Sequence, residues 1–138
     1  MLTSEAIEKY WASIIEAMRT AYADTVGGNT QEKIYIWEDG EIETLYGVYG
    51  DNSFLRPKQW EDRELFYIAT VSASDPADFI TENTAEMSEE EYTKAWDEAA
   101  EMLISTYDPE GTLDGIYDDA IRAEKIEAEE AEELRFYQ

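Results

Sequence analysis

Between Glu32 and Gly50 the chain reads EKIYIWEDGEIETLYGVYG, and no other stretch limits the possible folds as strongly. Asp39-Gly40 sits between two runs rich in β-branched and aromatic residues, the local chemistry of a tight hairpin turn. The first run alternates Ile34 and Ile36 with Tyr35 and Trp37, so both faces of that strand carry large apolar groups. One face is expected to pack on a helix. The other must be covered by a different segment or stay partly open.

The flanking segments have other periods. From Ser4 to about Val26, Ile7, Tyr10, Trp11, Ile14, Ile15, Met18 and Tyr22 recur at i, i+3, i+4 and i+7, which predicts one continuous helix with an apolar stripe. Thr3 or Ser4 can cap its start, and Gly27-Gly28 stops it. The stripe reads as a core face rather than a ligand site. Tyr49 to Arg63 reads as a long loop whose Arg56, Lys58 and Arg63 lie beside Trp60, the sole basic spot of the sequence.

ELFYIATVSA follows as a third strand, with Leu65, Tyr67, Ala69 and Val71 on one side and Phe66, Ile68 and Thr70 on the other. Ser74-Asp75-Pro76 signals a short helix through Phe79 and Ile80. Ser88 with Glu91 forms a capping box that opens a helix with Tyr92, Ala95, Trp96, Ala99, Met102 and Leu103 on one face. TYDPEGTLDG is expected to break it. A last helix, from about Gly115 to Phe136, carries Ile116, Tyr117, Ala120, Ile121, Ala123, Ala131 and Leu134.

The expected fold is therefore α+β: an N-terminal helix, a three-stranded antiparallel sheet, then two or three acidic helices. With 138 residues the chain reads as one domain, 1–138, in which 1–72 supply helix and sheet and 73–138 the acidic helical part. Its opening order, α-β-β-β-α, is shared with double-stranded RNA-binding domains, but these need cations along the phosphates. Thirty-four acids against ten bases give a formal charge of −24, which excludes that use and any direct contact with nucleic acid or anionic membrane.

The charge is uneven. Residues 1–72 hold 13 acids and 6 bases, a net of −7, and residues 73–138 hold 21 acids and 4 bases, a net of −17. Between Asp118 and Glu133 eight acids fall within sixteen residues, about one per 3 Å of helix, against about 3.4 Å between phosphates of a DNA strand. Any Glu-rich helix of this density would match, and a solvated face is the plain alternative. Glu124 and Glu127 nevertheless intrude on the last helix's apolar stripe, and like charges such as Glu129 with Glu132 and Glu133 weaken it. Arg122 is placed to relieve Asp118, and Lys125 to relieve Glu129.

Chemistry is hard to find. The chain has no cysteine and no histidine, which removes the thiolate nucleophile, the disulfide, the usual zinc ligands and the usual neutral-pH acid or base. No phosphate-binding glycine loop or nucleophile elbow occurs. Asp108, Glu110, Asp114, Asp118 and Asp119 around two glycines suit Ca²⁺ in composition, yet their spacing departs from the EF-hand, and an ordinary turn with Asp114 capping the next helix is the simpler reading. No enzyme, metal or cofactor is expected. The N-terminus MLTSEAIEKYW lacks the apolar run of a signal peptide, which points to the cytoplasm.

SEEEYTKAWDEAAEM and EKIEAEEAEELRFYQ, following a helix, an Asp-Gly hairpin and a third strand in a cysteine-free chain, resemble in architecture the DNA-mimicking inhibitors carried by phages and mobile elements. One of these, a small acidic inhibitor of Cas9, has a similar helix, three-strand, two-helix order. The resemblance implies a non-enzymatic inhibitor that occupies the positively charged surface of a CRISPR nuclease, a restriction nuclease or another basic nucleic-acid-binding protein. The candidate partner-binding residues are Glu89, Glu90, Asp97 and Glu101 on the first acidic helix and Asp118, Asp119, Glu127, Glu129, Glu130 and Glu133 on the second. Tyr107, Tyr117, Phe136 and Tyr137 are the aromatic candidates for anchors beside the charge. The alternatives are an accessory or assembly protein that binds some other basic partner, and an acidic surface adapted to salt.

Overall fold

The computed structural model describes residues 1–28, 30–48 and 64–136; the expected loop at Tyr49 to Arg63, with its basic spot, lies outside the described residues, as does Tyr137. Helix α1 (Thr3–Lys9) and helix α2 (Trp11–Thr25) precede strands β1 (Thr30–Trp37), β2 (Ile42–Val48) and β3 (Leu65–Val71). Two short 3-10 turns (Pro76–Phe79 and Thr84–Glu86) lead to α3 (Glu89–Thr106) and α4 (Pro109–Phe136). The fold is α+β.

The single N-terminal helix expected from periodicity is in fact two. Tyr10, at φ −112° and ψ 26°, interrupts it, although the Tyr10 and Ile14 amides still donate to the carbonyls four residues back. The cause is tertiary. Tyr10 donates its hydroxyl to the Glu38 carbonyl at 3.1 Å, and its ring lies where a side chain at Gly40 would stand. Gly40 has φ +93°, so the hairpin turn needs glycine both for its backbone and for this ring. Neither Thr3 nor Ser4 caps α1, because the helix already begins at Thr3.

The sheet order is β2-β1-β3, antiparallel throughout. Ile34 and Ile36 face α1 and α2, joining Ile7, Ile14, Met18, Phe66, Ile68 and Val71 in the main core. Tyr35 and Trp37 are buried on the opposite face with Leu45 and Leu65 against them, while Tyr67 on that side is 47 % exposed. The simple alternation expected for β3 fails at a register shift opposite Ile34 and Tyr35. One extra residue there changes the phase, so Phe66, Ile68, Ala69 and Val71 all reach the core, while Leu65, Tyr67 and Thr70 turn away.

Gly27 closes α2 at φ +79°, and the Trp96 indole of α3 occupies the space beside it. Tyr22 of α2 stacks on Tyr107 at 4.0 Å between centroids and 7° between planes, tying the α3–α4 junction to the body. The last helix starts six residues earlier than its glycines imply. Asp108, not Asp114, caps it by accepting from the Gly111 amide at 3.0 Å, with Pro109 in the first turn.

Candidate functional site

Ser88 sets the geometry of α3. Its hydroxyl accepts from the Glu91 amide at 3.2 Å and donates to the Glu91 carboxylate at 3.1 Å, so Ser88 is the expected N-cap, with Glu91 bonded to its hydroxyl where a full capping box would use its amide. Glu89 and Glu90 follow in the first turn, where their charge opposes the positive end of the helix dipole. Part of their presence is thus structural. Ala99, Ala100 and Leu103 bury the inner face, with Ala95 and Trp96 half-buried, whereas Tyr92 and Met102, expected inside, are largely exposed.

The outer face gathers four of the candidate residues. Glu89, Glu90, Asp97 and Glu101 line one shallow groove of about 550 Å³, together with Glu98 and Lys94. The twelve steps from Glu89 to Glu101 cover about 18 Å of helix. Five carboxylates face a single ammonium, and none of the five forms an ion pair among the described residues. Glu98 was missed in the sequence, though its i+4 relation to Lys94 and i+8 relation to Glu90 place it on the same face. It also borders a second cleft of about 210 Å³ that holds Phe79, Ile80, Ala99 and Met102. An acidic strip therefore runs directly beside exposed apolar side chains.

The remaining candidates are not drawn into this strip. α3 packs chiefly on the Pro76–Phe79 turn, whereas α4 runs along α1 and α2. Asp118 and Asp119 are exposed, and Asp119 pairs with Arg122 at 3.6 Å, where relief of Asp118 was expected. Both partners are largely solvated, so the pair contributes little. Glu127, Glu129, Glu130 and Glu133 lie on the final turns, all exposed, and Lys125 makes no ion pair with Glu129 among the described residues. Phe136 ends α4, and its side chain lies outside the described residues.

Two expected anchors serve the fold instead. Tyr107 is held in the stack on Tyr22, and burial followed by the neighbouring Tyr22 pushes its hydroxyl above the usual tyrosine range despite Arg19. Tyr117 is half-buried against the core and donates to Glu8 at 3.4 Å. Glu124 is likewise spent internally. Its carboxylate accepts from the Ser4 amide at 3.1 Å and from the Ser4 hydroxyl, satisfying the N-terminus of α1 from another helix.

The segment considered for Ca²⁺ is helical from Pro109, so its acids are strung along a helix instead of enclosing a loop. Among the described residues no three acidic side chains converge as a metal-ligand set, and no helix is long and apolar enough to cross a membrane. What fold and site define is an α+β chain with an acidic helix face, free of ion pairs among the described residues, set beside a mixed cleft that exposes Phe79 and Met102. The chain matches no protein-family model, and no curated protein or solved structure is significantly similar to it.

Proposed function

We propose that this chain is a protein-binding inhibitor whose acidic helices occupy the positively charged nucleic-acid-binding surface of a partner, such as a CRISPR or restriction nuclease, by imitating DNA. The observation that carries this reading is the outer face of α3: five carboxylates, no ion pair among the described residues, and a neighbouring cleft that exposes Phe79 and Met102. Charge of this density steers a basic partner to the face and makes association fast and salt-sensitive. Phe79 and Met102, both partly exposed, supply the desolvated contact that charge alone lacks. The exposed acids of the last turns of α4 extend the negative field.

The test is competition. Purified chain is titrated into Cas9 and type I or type II restriction nucleases with labelled target DNA, at two salt concentrations. DNA should be displaced competitively, with the inhibitory concentration rising at higher salt. The combined variant E89Q/E90Q/D97N/E101Q should inhibit at least tenfold less well, while losing only the small stability that the two first-turn charges give α3. Binding of a basic partner without displacement of DNA would favour the accessory-protein reading. A fold that unravels at low salt and binds none of these proteins would favour adaptation to salt.

A further inference from the structure

Glu32 is the only charged side chain that is buried among the described residues, at 8 % exposure. It stands on β1 in phase with Ile34 and Ile36, facing α2, with Val71 and Tyr46 as its cross-strand neighbours. Among the described residues no hydrogen bond or ion pair reaches its carboxylate, whose oxygens are not sealed from solvent. The charge closest in effect is another acid, Asp24, and burial together with Asp24 pushes its carboxyl above the ordinary 4.5. A carboxylate withdrawn from much of its water and left without a counter-charge is costly, and a cation reaching it through the remaining opening would offset that cost.

Glu32 opens into a groove of about 320 Å³ between α2 and the hairpin, lined also by Glu16, Ala17, Thr20, Asp24 and Thr44. This groove shares no residue with the acidic face of α3. We propose that it receives one arginine side chain of a partner polypeptide, the guanidinium held by Glu32, Asp24 and Glu16 and the methylenes laid over Ala17.

The chemistry of the lining selects this ligand. Three carboxylates and two threonine hydroxyls are acceptors set around one space, and a guanidinium presents five N–H donors in a rigid plane pointing in several directions. These acids do not converge closely enough to ligate a metal ion. That spread suits a planar cation better than a point charge. Alanine at position 17 leaves an apolar floor for the stem of a long side chain, which can bury its methylenes while its head is paired. The inference goes beyond the reading of α3 and stands or falls apart from it, because different residues carry each.

The experiment is a ¹⁵N NMR titration of the full chain with acetyl-Ala-Arg-Ala-amide. Saturable shifts are expected at the amides of Ala17, Thr20 and Thr44. The citrulline analogue, neutral but equal in shape, should produce none, and the lysine analogue should bind at least threefold more weakly. Glu32→Gln should weaken the arginine peptide at least tenfold and Asp24→Asn severalfold, whereas Glu86→Gln, the same charge change on the exposed Thr84–Glu86 turn, should alter it less than twofold. The proposal is overturned if shifts spread equally over α3 and α4, if citrulline binds as well, or if both groove variants bind like the parent. Binding by blocked arginine alone, with the tripeptide excluded, overturns the polypeptide partner.

Discussion

The two halves of α4 are built from similar residues and do different work. From Pro109 to Glu124 the helix buries Leu113 completely, half-buries Ile116, Tyr117 and Ala120 against α1 and α2, and ends by capping α1 through Glu124. From Lys125 to Arg135 every residue is exposed, including Ile126 at 51 % and Leu134 at 67 %. Glu124 and Glu127 make the contrast sharpest. Both interrupt the same apolar stripe, yet one meets the open amide of Ser4 and the other meets water. A glutamate on a core-facing position is therefore no evidence of a partner until the space opposite it is known.

Paired substitutions break or sharpen this contrast, and the largest effect belongs to the leucines. Leu113→Ala should destabilise the fold by about 2–5 kcal/mol, since a fully buried leucine leaves a cavity. Leu134→Ala should change stability by less than about 0.5 kcal/mol. Urea unfolding followed by tryptophan fluorescence measures both. Equal losses would mean that the last turns of α4 are packed after all. Next come the two glutamates: Glu124→Ala should cost about 1 kcal/mol through the lost cap, and Glu127→Ala close to none. If Glu127→Ala costs as much as Glu124→Ala, the two halves of the helix are not distinct.

Most of this division is invisible in one sequence, for reasons that differ by residue. The hairpin is legible because Asp39-Gly40 and the surrounding alternation are local signals. The N-cap at Ser88 and the acids of α3 are legible for the same reason, since i+4 spacing alone puts Glu89, Glu90, Asp97 and Glu101 on neighbouring faces. The break at Tyr10 is not, because it depends on Glu38 and Gly40, about thirty residues away. The phase change in β3 is set by its register with β1, and the role of Glu124 by Ser4 at the other end of the chain. The start of α4 at Pro109 was readable from Asp108-Pro109, the same signal as Asp75-Pro76, but Gly111 and Gly115 mask it. Glu32, too, left a trace: a charge in step with Ile34 and Ile36 on a central strand.

The smallest effect concerns that residue and contrasts buried charge with the exposed charge of α4. Burial, then Asp24, raises the Glu32 carboxyl above 4.5, so the folded chain holds this proton more tightly than the unfolded chain does. Stability from this group is therefore greatest below the unfolded value, falls as pH rises through the folded value, and stays at its low level through neutrality. Glu16 and Asp24 on α2 face the same groove, and the strand neighbours Thr44, Tyr46 and Val71 bring no cation to it. Glu32→Gln should accordingly unfold at a higher temperature than the parent at pH 7, with the advantage shrinking as pH falls toward 4.5. Glu130→Gln, exposed on α4, should show no such pH-dependent gain. Thermal melts of the three proteins from pH 4 to pH 8 measure the difference, and a Glu32→Gln variant that is less stable at pH 7 would show that Glu32 is satisfied within the fold rather than held open for a ligand.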